Sequence, residues 1–99
     1  MKYYILKDKI PVEVPGAVSI WETDRCVART SKNDVTINTV FLGIDHNFKK
    51  SGPPILFETM IFGGDKDGYQ KRCSTWAQAK IMHQIAVELI TKEKNRSEP

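Results

Sequence analysis

The side chains best equipped for chemistry lie in a few short stretches of this sequence of 99 residues. Asp45-His46-Asn47 stands at the end of one apolar run, and Glu58 stands inside another. Imidazole and carboxylate groups bind divalent metals and exchange protons near neutral pH, so Asp45, His46 and Glu58 are candidates for a metal or acid/base site. The competing reading is structural, and it is the stronger one, because buried polar groups are mostly paired within the fold. On that reading Asp45 and Asn47 form turns or caps, His46 hydrogen-bonds a carbonyl, and Glu58 pairs with an Arg or Lys on a neighbouring strand. Arg25 and Arg29 are an even number of residues apart, so they share one face of a regular strand and would form a phosphate clamp, although solvated surface arginines are commoner. Phe48 and Tyr69 are aromatics able to lie against a base.

Other residues invite a blander reading. His83, between Ala79 and Ala86, reads as a satisfied core or boundary histidine. Trp21 and Trp76 read as core or interface anchors, and the glycines of Gly52-Pro53 and Gly63-Gly64 as turn formers. Cys26 and Cys73 are too few for a disulfide framework and lie in no Cys-x-x-Cys pair. The chain has no His-Glu-x-x-His, Walker loop, nucleophile elbow or zinc-ribbon spacing. The expectation is therefore a protein with no catalytic centre, resident metal or cofactor.

Charge and composition narrow the partners. The net charge is +3, but basic and acidic residues are mixed along the chain, and the longest basic runs are the pairs Lys49-Lys50 and Lys71-Arg72. Duplex nucleic acid usually calls for a basic face or stripe, so it is not expected as a partner, whereas a small anion is compatible. With 40% hydrophobic and 27% charged residues the composition is that of a globular protein. No apolar stretch approaches a membrane span, and the start is too polar for a signal peptide, which points to the cytoplasm.

The elements that must position these groups read as an α+β fold: a small antiparallel sheet with a C-terminal helix on one face, in a single domain over residues 1–95 with a polar tail at 96–99. Strands are expected at 3–6 and 12–14, with Asp8-Lys9 closing a hairpin between them. A short helix or irregular turn is expected over 16–24. Residues 25–30 and 35–44 read as strands joined by the polar turn Ser31-Lys32-Asn33-Asp34. In the second of these the apolar alternation shifts phase after Ile37 to Val40, Leu42 and Ile44, which predicts a bulge or burial on both faces. Residues 55–62 and 69–73 read as two more strands, the last near an edge. Thr75-x-x-Gln78 is a capping box opening a helix over 76–92, with Ala79, Met82, Ala86, Leu89 and Ile90 facing the sheet. One helix covers one face only. The region around Trp21 or a second copy of the chain must cover the other, which predicts a homo-oligomer.

The run Thr39-Val40-Phe41-Leu42-Gly43-Ile44-Asp45-His46-Asn47-Phe48, the run Gly52-Pro53-Pro54-Ile55-Leu56-Phe57-Glu58-Thr59-Met60-Ile61-Phe62-Gly63-Gly64, Ser74-Thr75-Trp76 and His83 together resemble a family of small phage and prophage proteins. Lys49 and Lys50 stand where that family's loop looks glycine-rich. The resemblance implies life in a host cytoplasm and an accessory role against host defences. The leading expectation is a counter-defence protein that sequesters a small nucleotide-like signal, with Arg25 or Arg29 on phosphates, Phe48 or Tyr69 against the base, and Asp45 and His46 nearby. The alternatives are an inhibitor that binds a host defence protein, of anti-CRISPR type, through a sheet edge or the 49–54 loop, and a metal-dependent hydrolase using Asp45, His46 and Glu58.

Overall fold

A computed structural model describes residues 2–15, 25–49 and 51–96. Its elements are β1 (Tyr3–Lys7), β2 (Ile10–Val14), β3 (Cys26–Lys32), β4 (Val35–Phe41), β5 (Phe57–Phe62), β6 (Gln70–Cys73) and α1 (Trp76–Arg96). β1 and β2 form a two-stranded hairpin, and the other strands form a four-stranded antiparallel sheet in the order β3-β4-β5-β6. With α1 packed on one face of that sheet the fold is α+β, as the sequence predicts. The short helix or turn expected over 16–24, and Trp21 with it, lies outside the described residues.

Local chemistry sets both hairpins. Asp8 and Lys9 adopt φ of 50° and 69°, and Asn33 and Asp34 adopt 51° and 66°. Positive φ at both central residues defines the turn whose twist matches that of the flanking strands, and Asn and Asp tolerate this backbone better than most residues. β3 and β4 therefore run on through Ser31 and Lys32, leaving a two-residue turn where the sequence suggests a four-residue one. Gly63 (φ 91°) follows β5, and a Cβ there would lie 2.6 Å from the Asp34 carbonyl oxygen. Only glycine lets the two turns approach this closely.

The helix opens on the capping box read from the sequence. Thr75 Oγ1 accepts from the Gln78 main-chain N (3.1 Å), while Gln78 Oε1 accepts from the N of Thr75 (3.1 Å) and Ser74 (3.2 Å). α1 runs to Arg96, past the expected end at Lys92. Ala79 and Ala86 are fully buried, and their small side chains let the helix approach the sheet closely. Between them lies His83, 7% exposed, at the centre of the contact face. Met82, Leu89 and Ile90 occupy its half-buried margins.

Two apolar clusters fill the layer between helix and sheet. Phe41, Leu56, Phe57 and Ala79 form one, against which Tyr4 and Leu6 of β1 pack; Ile37, Ile61 and Ala86 form the other. Thr39 and Thr59, both 0% exposed, separate them. Their hydroxyls bond one another, His83 Nδ1 bonds Thr39 Oγ1 (2.7 Å), and His83 Nε2 bonds Thr30 Oγ1 (2.9 Å). This polar belt explains why the phase shift expected in β4 is absent. Thr39 takes an inward position because its hydroxyl has buried partners, so Ile37, Thr39 and Phe41 keep a regular alternation and Val40 faces out.

The irregularity lies in β3 instead. Cys26 pairs with Val40 but Ala28 with Thr39, so two residues of β3 advance against one of β4. The outer face of the sheet carries the rows Cys26, Val40, Glu58, Arg72 and Arg29, Asn38, Met60, Gln70, since directly paired residues share a face. That face is mixed: beside these polar residues it carries Val40, Met60 and, paired with Thr36, Phe62, which is 46% exposed. β4 and β5 therefore have apolar residues on both faces, as the sequence predicts, interspersed on the outer one with charged and amide side chains.

Candidate functional site

The segment joining β4 to β5 is built around two polar side chains. Asp45 Oδ1 accepts hydrogen bonds from the main-chain N of Asn47 (2.7 Å) and of Ile55 (2.9 Å), closing the loop at its base. Asn47 Nδ2 donates to the carbonyls of Ser51 (3.1 Å) and Pro53 (2.8 Å), and its Oδ1 accepts from Lys49 N (3.0 Å). The β1 hairpin braces the same corner, with Tyr4 N donating to Gly43 O (2.8 Å) and Asp45 N to Lys2 O (3.1 Å). Asp45 and Asn47 thus have the turn-forming role the sequence favours for them.

Between these scaffold residues the loop displays two rings. His46 Nδ1 donates to the Ile44 carbonyl (2.8 Å), which fixes the orientation of the ring and leaves Nε2 as its other polar atom. The His46 ring centroid lies 6.1 Å from that of Phe48, which is 79% exposed. An open cleft of about 720 Å³ separates this loop from the β6–α1 junction, with His46, Phe48 and Lys49 on one wall and Arg72, Cys73, Ser74 and Gln78 on the other. The hydrogen bond from Leu56 N to Cys73 O (3.0 Å) sets the spacing of the two walls at its base. Burial pushes the Cys73 thiol up, so it stays protonated at neutral pH and is a poor nucleophile.

Of the candidates from the sequence, this cleft gathers His46 and Phe48, with Asp45 beneath them as scaffold. The others lie elsewhere. The bulge between Cys26 and Ala28 breaks the parity that would put Arg25 and Arg29 on one face: Arg29 falls opposite Asn38 on the outer face, whereas the main-chain carbonyl of Arg25 bonds Phe41 N. The Arg25 guanidinium is engaged in the fold, donating from Nε to Phe41 O (2.9 Å) and from Nη2 to Leu42 O (2.8 Å). Tyr69 lies against the cluster of Ile37, Ile61 and Ala86 and lines a different groove.

Glu58 is not grouped with Asp45 and His46. Its Oε2 accepts from Arg72 Nε (2.8 Å) and Gln70 Nε2 (2.6 Å) on the neighbouring strand. The hydrolase reading thereby loses its ligand set, and among the described residues no three His, Cys, Asp or Glu are grouped to hold a metal ion. The ion pair is partly solvated, with Arg72 39% exposed and Glu58 13%. Glu58→Ala is therefore expected to lower stability by about 1 kcal/mol in thermal melts, since Arg72 recovers part of the loss by hydration. An unchanged melting temperature would remove the structural role.

Arg72, Ser74 and Gln78 are absent from the candidates because no local signal marks them. Gln78 is legible as a capping residue, but its place at a cleft follows from β5–β6 pairing across a turn. Among the described residues no helix is long and apolar enough to cross a membrane. Compared with known proteins, the chain matches no family model, no curated protein and no solved structure.

Proposed function

We propose that the protein binds a small nucleotide-like anion in the cleft between the 45–55 loop and the β6–α1 junction, and acts by holding the ligand without transforming it. The observation that carries this reading is Phe48, 79% exposed at the tip of a loop whose backbone is tied down on both sides of it. A large aromatic held in water by a built loop is an unfavourable arrangement for the free protein and a favourable one for stacking a flat ligand. Lys49 and Arg72 supply positive charge at opposite walls for phosphate groups, and Ser74 a hydroxyl. The volume is in the range of small-molecule sites. Cys73 as a thiol offers no nucleophile, and Asp45 is committed to main-chain amides, so the cleft is equipped for recognition. Sequestration of a nucleotide signal, the role suggested by the resemblance to phage proteins, calls for a site of this kind.

A thermal-shift panel of mono-, di- and cyclic nucleotides tests the reading. At least one class raises the melting temperature, Phe48→Ala weakens its binding about tenfold, and Arg29→Ala leaves it unchanged. No shift with any nucleotide at millimolar concentration, or equal binding by Phe48→Ala, would refute it.

A further inference from the structure

The two edges of the four-stranded sheet differ. The β3 edge is interrupted by the bulge between Cys26 and Ala28, a device that blunts strand pairing. The β6 edge is regular. Ile61 N donates to Tyr69 O (3.0 Å), so alternation along the strand turns the main-chain groups of Tyr69, Lys71 and Cys73 toward β5 and those of Gln70 and Arg72 away from the sheet. On the helix side of this edge runs an apolar groove of about 330 Å³, lined by Tyr69, Lys71, Gln78, Ile81, Met82 and Ile85. Ile81 is 62% exposed and Ile85 48%, on a helix whose sheet-facing residues are hidden.

We propose that β6 and this groove receive an extended strand from another protein, carrying apolar side chains at alternate positions and a carboxylate opposite Lys71. A strand added beside β6 would bond the outward main-chain groups of Gln70 and Arg72 and place every second side chain against Ile81, Met82 and Ile85, so the edge supplies affinity and the groove selectivity. Lys71, paired with Thr59 on the helix-facing side of the sheet, is the one charged residue lining the groove and sets the sign of the partner. The same charge opposes a second copy of this chain. Antiparallel pairing of β6 with itself, Gln70 of one copy opposite Arg72 of the other, brings the two Lys71 side chains directly against each other, and like charges on facing strands are destabilising.

The probe is the synthetic peptide Thr-Ile-Thr-Glu-Thr-Ile-Thr, with a control in which Lys replaces Glu. Added to the full chain, the Glu peptide slows amide hydrogen exchange at Gln70 and Arg72 and the control does not. Ile81→Lys, a change at an exposed position, abolishes the protection, and Lys71→Glu transfers it to the control peptide. Nucleotide binding in the cleft is unaffected by Ile81→Lys, which keeps the two sites separable. Unchanged exchange at Gln70 and Arg72 with both peptides, or equal protection by both, would overturn the proposal. So would protection that appears without peptide and grows with protein concentration, since the occupant is then a second copy.

Discussion

His83→Leu is expected to lower the free energy of unfolding by about 1–3 kcal/mol, although leucine is apolar and of similar size. The loss comes from what the imidazole leaves behind. Thr39 and Thr59 are 0% exposed, and Thr39 Oγ1 has His83 Nδ1 as a partner at 2.7 Å. Thr39 and Thr59 still bond one another without the ring, but the pair then has one hydroxyl hydrogen or lone pair left over in the core, and Thr30 Oγ1 loses its bond to Nε2. Buried polar capacity left unused costs more than a made hydrogen bond contributes. The triple variant Thr39→Val, Thr59→Val, His83→Leu is therefore expected to recover most of the loss, because it removes donors and acceptors together. Denaturant unfolding of the single and triple variants checks this. If the triple variant loses at least the sum of its singles, the belt contributes net stability and the argument from unpaired groups fails.

The same residue gives a pH signature of definite sign. Burial and, secondarily, the neighbouring positive charge of Lys80 hold the His83 pKa below the ordinary histidine value. Above that ordinary value neither folded nor unfolded chain is protonated there, and the contribution is fully present. As pH falls through the ordinary range the unfolded chain takes up a proton that the folded chain refuses. Stability then drops by at most about 1.4 kcal/mol per pH unit from this group, levelling off once the folded pKa is passed. The His83→Leu variant lacks this component, so the difference between the two stability profiles, not either profile alone, isolates it. Parallel profiles for the two proteins between neutral and acidic pH would remove His83 as its source.

The parts of the fold that were legible in the sequence are those fixed by neighbours along the chain. The polar stretch 31–34 and Asp8-Lys9 announce hairpins through their turn chemistry, the first read two residues too long, and Thr75 with Gln78 announces the helix start. Asp45 and Asn47 read correctly as turn residues for the same reason. What the sequence hid depends on partners far away. Thr39 looks like a surface residue of β4 until Thr59 and His83 are seen across from it, 20 and 44 residues on, and so the inward row was read one step out of phase. Arg25 and Arg29 appear to share a face because a bulge leaves no mark in composition. The cleft shows both cases at once: its His46–Phe48 wall is visible as polar and aromatic residues between two apolar runs, whereas its Arg72–Gln78 wall exists only through the register of β6 on β5.

Asp45→Ala is expected to cost about 2–4 kcal/mol and to abolish ligand binding with it. One carboxylate oxygen accepts from two main-chain amides, Asn47 N and Ile55 N, which lie on the two sides of the loop that presents His46 and Phe48. Alanine leaves both amides to water or to nothing and releases the loop ends from one another, with the His46 N to Ile55 O bond (2.9 Å) as the remaining cross-link at this level. Asp45→Asn keeps an amide oxygen in the same place without the charge, so most of the stability and most of the nucleotide-induced thermal shift should survive in it. The comparison separates scaffold from contact. A carboxylate that touched the ligand or a metal directly would lose binding in both variants while leaving the melting temperature nearly unchanged, because groups kept for binding seldom favour the fold. A scaffold carboxylate loses stability and binding together in the alanine variant and retains both in the asparagine variant. Melting curves of the two variants, with and without the nucleotide that shifts the parent protein, distinguish these outcomes, and loss of binding in Asp45→Asn at an unaltered melting temperature would move Asp45 from the base of the loop into the site itself.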